Sequence, residues 1–68
     1  MSGISYTSLR AGHRYWAVNF GEKIEFEILE ELSPLDFLIK DLSTLETSRL
    51  SELTRYGKGT DFEIRDLG

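Results

Sequence analysis

The chain has no cysteine, one proline and one histidine among its 68 residues, and each shortage narrows what it can do. Without cysteine there is neither a disulfide nor a thiolate metal site, and a small domain without such staples is expected in a reducing compartment, here the cytoplasm. No segment approaches the roughly 20 apolar residues of a membrane span, and no charged region leads into an apolar run as in a signal peptide. Nucleophilic catalysis of the Ser-His-acid kind has only His13 to draw on, with no carboxylate within eight residues of it in sequence. A metal would have to be held by carboxylates, yet Glu25, Glu27, Glu30 and Glu31 lack the alternating oxygen ligands and the glycine of a calcium loop. Gly57-Lys58-Gly59-Thr60 lacks the upstream glycine and the following helix of a phosphate loop, and reads as a turn. The expectation is no enzyme, no cofactor and no metal.

What is present is the composition of one folded domain spanning residues 1–68, 40% hydrophobic and 12% aromatic. A chain this short buries only about 60% of the surface its unfolded form exposes, so its core is thin. The net charge of −4 is unevenly spread. Residues 1–21 carry Arg10, Arg14 and no acid; residues 22–36 carry six acids against Lys23; residues 37–68 carry six acids against five bases. An acidic domain gains little from phosphate counterion release, so nucleic-acid binding is disfavoured as a main activity. The acidic block reads as a solvated strand face that also discourages edge pairing.

Strand signals organise the chain. Asp36-Phe37-Leu38-Ile39-Lys40-Asp41-Leu42 returns 25 residues later as Asp61-Phe62-Glu63-Ile64-Arg65-Asp66-Leu67, with five of seven positions identical. Phe and Ile two apart make one buried face of a strand, and Phe26-Glu27-Ile28 repeats that core upstream. Residues 1–11 read as an N-terminal arm or an edge strand. In the first firm strand, residues 14–20, Trp16, Val18 and Phe20 are expected to face the core, with Tyr15, Ala17 and Asn19 on the other face. Tyr15 is then either covered by the arm or left for a partner. Asn19-Phe20-Gly21-Glu22 turns a hairpin into a second strand, residues 23–29, whose Ile24, Phe26 and Ile28 point inward. Leu29-Glu30-Glu31-Leu32 breaks the period, predicting a bulge or bend before the Ser33-Pro34-Leu35 turn. That turn places Ile28 opposite Ile39 and Glu27 opposite Lys40.

Residues 43–56 admit two readings. As a helix at 44–56, Ser43 and Glu46 form a capping box and Gly57 a stop, which gives an α+β fold. As a strand at 46–50 followed by a 3-10 turn at 53–57, the many serines and threonines are better placed. The second reading is preferred, and residues 61–67 then form the last strand. Four strands, a 3-10 turn and a fifth strand in this order resemble the SH3-like small β-barrels over residues 12–67. The resemblance implies a mainly β, five-stranded barrel whose last strand closes against the first. The wording of Tyr15-Trp16, Lys40-Asp41-Leu42, Thr44-Leu45-Glu46 and Tyr56-Gly57-Lys58-Gly59 also looks like that of small stand-alone bacterial proteins of unknown function.

In the SH3-like arrangement the first strand and the 3-10 turn lie near one another. Tyr15, Tyr56, Arg14, Arg55 and Lys58, joined by His13, then form an aromatic and basic patch on an otherwise acidic domain. Such residues dominate binding hot spots because they bury large areas while keeping a polar handle. The expected function is a non-catalytic protein-interaction module, away from membranes. Two alternatives stand beside it: a nucleic-acid accessory domain using Arg10, Arg14, Arg49, Arg55 and Lys58, and a structural homo-oligomer paired through the double-faced first strand.

Overall fold

A computed structural model describes residues 8–67. Five strands follow one another: β1 (Arg14–Asn19), β2 (Glu22–Ser33), β3 (Asp36–Asp41), β4 (Thr47–Arg49) and β5 (Glu63–Asp66). A 3-10 helix, Leu50–Thr54, lies between β4 and β5. The fold is mainly β, one antiparallel sheet in the order β4-β3-β2-β1-β5. The helix alternative for residues 44–56 is thereby excluded, and the sheet is open: β4 and β5 are its two edges, so the expected barrel is not closed.

The β2–β3 register follows the pattern read from the sequence. Ile28 lies opposite Ile39 and Glu27 opposite Lys40. The turn, however, is the two-residue Pro34-Leu35, with Ser33 opposite Asp36, one residue later than expected. Two bulges in β2 absorb the difference, one between Ile28 and Glu30 and one between Glu31 and Ser33, leaving Leu29 and Leu32 as the extra residues. The 12-residue β2 thus pairs with β1 along its first half and with β3 along its second.

The facing of β1 is the reverse of that expected. Tyr15 and Ala17 are buried at 3% and 1%, whereas Trp16 is half-buried on the outer face and Phe20 is exposed. Cross-strand partners share a face, and Tyr15 pairs with Phe26 and Ala17 with Ile24, so the inward phase of β2 dictates that of β1. The phenol oxygen of Tyr15 is satisfied by the Arg10 backbone N–H at 3.0 Å, and Trp16 lies under the Lys23 ammonium, 4.7 Å from its ring centre. The arm therefore covers Tyr15: Gly12 N–H donates to the Ile28 carbonyl at 2.8 Å, turning the chain so that Leu9 enters the core. Residues 1–7 of the arm lie outside the described residues.

Leu9, Tyr15, Ala17, Phe26, Ile28, Phe37, Ile39, Leu50 and Ile64 make one core, with Ile24, Leu53 and Phe62 packed against it. Each fully buried Phe, Ile or Leu stabilises the fold by about 1.5–3 kcal/mol relative to exposure. The 3-10 helix begins three residues earlier than the expected 53–57 because Asp36 holds its start: the carboxylate accepts the Ser51 backbone N–H at 3.1 Å and pairs with Arg49 at 3.0 Å. Leu50, between those two contacts in sequence, is fully buried.

Candidate functional site

The β1–β2 hairpin turn and the loop after the 3-10 helix meet at one end of the sheet. Phe20 and Gly21 both lie in the left-handed region, with φ of 52° and 77°. A two-residue hairpin turn of this kind favours Asn-Gly, and a phenylalanine there costs roughly 1–2 kcal/mol of backbone strain. Asp61 stabilises the turn from 40 residues away: one carboxylate oxygen accepts the Phe20 N–H at 2.9 Å and the other the Gly21 N–H at 2.8 Å. The Asp61 carboxyl is held below the usual aspartate range, chiefly by the Gly21 N–H.

Asn19 ties the same turn to the loop with its whole amide. Its Nδ2 donates to the Leu53 carbonyl at 2.8 Å and the Gly57 carbonyl at 3.2 Å, while its Oδ1 accepts the Gly59 N–H at 2.7 Å. A Cβ at Gly59 would stand 3.0 Å from Cδ1 of Phe20 and 3.0 Å from Oδ1 of Asp61, so any side chain there would require the ring or the carboxylate to give by a few tenths of an ångström. The Phe20 ring therefore lies against the Gly59 backbone with 60% of the residue still exposed.

Arg55, Tyr56 and Lys58 belong to this end of the molecule. Tyr56, 84% exposed, precedes the Gly57 that Asn19 holds; the Arg55 guanidinium lies 5.6 Å from the Tyr56 ring centre, and Arg55 is paired with Glu52. Lys58 stands 5.2 Å from the ring centre of the half-buried Phe62. Three aromatic rings and two cations are thus carried on a turn and a loop that share five hydrogen bonds made by Asn19 and Asp61.

The other three residues expected in the patch lie elsewhere. His13, Arg14 and Tyr15 sit at the opposite end of β1, about 15 Å from Asn19 at the usual rise per residue. Tyr15 is core, Arg14 pairs with Glu27 at 3.5 Å, and His13 is exposed, its carbonyl accepting the Ile28 N–H at 3.0 Å. A surface containing both Tyr15 and Tyr56 does not exist. Phe20, Phe62, Asn19 and Asp61 take the missing places. Phe-Gly at a hairpin tip, where Asn-Gly fits the backbone, was the available signal for Phe20; the links through Asn19 and Asp61 are tertiary and leave no local mark.

Among the described residues no three His, Cys, Asp or Glu side chains gather into a metal-binding group, and no helix is long and apolar enough to cross a membrane. Comparison with family models, curated proteins and solved structures finds no match for this chain.

Proposed function

We propose that this chain is a non-catalytic protein-interaction module whose docking face is the end of the sheet formed by Phe20, Tyr56, Phe62, Arg55 and Lys58. The observation that carries the proposal is Phe20. It occupies a left-handed turn position that suits asparagine, and it exposes most of its apolar surface. A side chain costly to the isolated fold in two ways is accounted for by a contact made outside it. Asp61 and Asn19 hold the backbone of the turn and loop that present the ring, and the ring rests against Gly59, so less backbone entropy is lost on docking. Tyr56 adds a second exposed ring, and Arg55 and Lys58 supply polar handles.

The order of the elements, with a long β2 shared between β1 and β3 and a 3-10 helix before β5, supports an SH3-like arrangement, here as an open sheet. The lack of cysteine supports work in the cytoplasm. Ion pairing counts against the nucleic-acid alternative, because Arg14, Arg49 and Arg55 each stand beside a carboxylate, of Glu27, Asp36 and Glu52.

The test is affinity capture from native lysate with the wild-type domain and with Phe20→Asn, with and without nuclease. Asparagine suits the turn, so the variant should melt at the wild-type temperature or above it. A protein captured by wild type, lost by Phe20→Asn and indifferent to nuclease is the expected result. Equal capture by the two forms would remove Phe20 from the docking face, and capture abolished by nuclease would shift the reading to nucleic acid.

A further inference from the structure

The other end of β2 carries a second exposed apolar group. Leu29 and Leu32 are the two extra residues of the bulges, and Leu35 is in the turn that follows. All three are exposed, Leu35 at 66%. Leu29 and Leu32 are at most about 10 Å apart along the strand. Neither bulge requires leucine: an extra residue with its side chain in water can be of almost any polar type, and the neighbours Glu30, Glu31 and Ser33 are polar. Three leucines within seven residues of one hairpin end make an apolar ridge on a domain with little surface to spare.

The charge around the ridge selects what can cover it. Half of the six acids of residues 22–36 are in ion pairs: Glu25 with Lys23, Glu27 with Arg14 and Asp36 with Arg49. Among the described residues no salt bridge engages Glu30 or Glu31. Lys40, the base nearest by register, stands opposite Glu27. Of the three acids of this block without a salt bridge among the described residues, Glu22, Glu30 and Glu31, the last two fall between the exposed leucines. Two copies of the ridge brought face to face would set these glutamates against one another, which disfavours a second copy as the occupant.

We propose that the ridge formed by Leu29, Leu32 and Leu35, with Glu30 and Glu31, is a second docking surface, and that it takes a basic amphipathic protein segment. The leucines bury against the apolar side of that segment, while Glu30 and Glu31 meet its lysines or arginines at the rim. This surface is separate from the Phe20 end, the two lying at opposite ends of β2, so the domain can hold two partners at once.

The probes are a short peptide alternating leucine with lysine and its counterpart alternating leucine with glutamate, each titrated while backbone amide shifts of the protein are followed. The lysine peptide should bind with shifts centred on residues 28–38 and the glutamate peptide should not. Glu30→Gln/Glu31→Gln and Leu32→Ser should each weaken binding by about tenfold, and Phe20→Asn should leave it unchanged. Glu22→Gln/Glu46→Gln removes the same charge elsewhere and should also leave it unchanged. The proposal is overturned by equal binding of the two peptides, by shifts centred away from the hairpin, or by equal weakening in the two glutamine pairs. A sedimentation mass that rises with concentration and returns to 7.8 kDa in Leu32→Ser assigns the ridge to a second copy and overturns it as well.

Discussion

Tyr15 and Phe20 show how much one residue's surroundings change its meaning. Both are aromatic residues of the first hairpin, yet one is core and the other is surface. Tyr15 packs 6.1 Å from the ring centre of Phe26 and carries the hydroxyl that receives the Arg10 N–H. Its two halves can be separated by substitution. Tyr15→Phe keeps the ring and orphans one backbone donor, so it should cost about 1 kcal/mol. Tyr15→Ala empties the core beneath the arm and should cost about 3–5 kcal/mol, a large share of the stability of so small a domain. Urea unfolding of the two variants checks this, and equal, small losses would mean that Tyr15 is not the core residue described. The Tyr15→Ala variant is correspondingly a poor probe of binding, because it removes fold and function together. Of the expected patch, Arg55, Tyr56 and Lys58 do lie together beside the glycine-rich turn, a neighbourhood that their closeness in sequence made legible. Tyr15 was misplaced because β1 is apolar on both faces, so alternation alone leaves its phase undecided.

At the scale of elements, the missing phase was present in the hairpin geometry. A two-residue Phe20-Gly21 turn sets Asn19 opposite Glu22, and counting back puts Ala17 on Ile24 and Tyr15 on Phe26. Since β2 alternates cleanly, its inward face fixes that of β1. The β2–β3 register was legible for the complementary reason: two Phe-x-Ile segments must align their apolar residues whatever the turn between them does. The bulges at Leu29 and Leu32 let the turn move by a residue without disturbing that alignment. The repeated segment also acquires a physical account. In each copy Ile is buried in the core, Phe37 with it and Phe62 packed against it, and the leading aspartate accepts backbone N–H groups from another part of the chain, Ser51 for Asp36 and Phe20 with Gly21 for Asp61. The fifth strand lies at an edge, and there the half-buried Leu38 of the first copy becomes Glu63, paired with Arg65. Asp36→Ala should free the start of the 3-10 helix, costing about 1–2 kcal/mol and speeding amide exchange at Ser51. Unchanged exchange at Ser51 would show that Leu50 alone holds the helix in place.

For the whole molecule, a core this thin leaves much of the loop structure to aspartates. Asp36 holds the 3-10 helix, Asp41 accepts the N–H groups of Ser43 and Thr44 and the Ser43 hydroxyl in the β3–β4 turn, and Asp61 holds the β1–β2 tip. All three carboxyls lie below their ordinary range. For Asp36, burial pushes upward but is outweighed by the Ser51 and Phe37 N–H groups and by Arg49; for Asp41 the Ser43 hydroxyl is the main cause; for Asp61 it is the Gly21 N–H. A carboxyl whose folded value is depressed binds its proton more readily in the unfolded chain. Its stabilisation is therefore complete above the unfolded value of about 4 and is lost as pH falls through the folded one. The melting temperature should be insensitive to these groups above about pH 5 and should drop steadily below about pH 4. Thermal melts at successive pH values test the argument, with Asp61→Asn as the control. That variant should begin less stable, because an amide offers one carbonyl acceptor to two N–H groups, and it should lose less than wild type on acidification. Parallel acid profiles for the two proteins would dissociate the Asp61 clamp from the fold, and with it the preorganisation of Phe20 on which the proposed docking face depends.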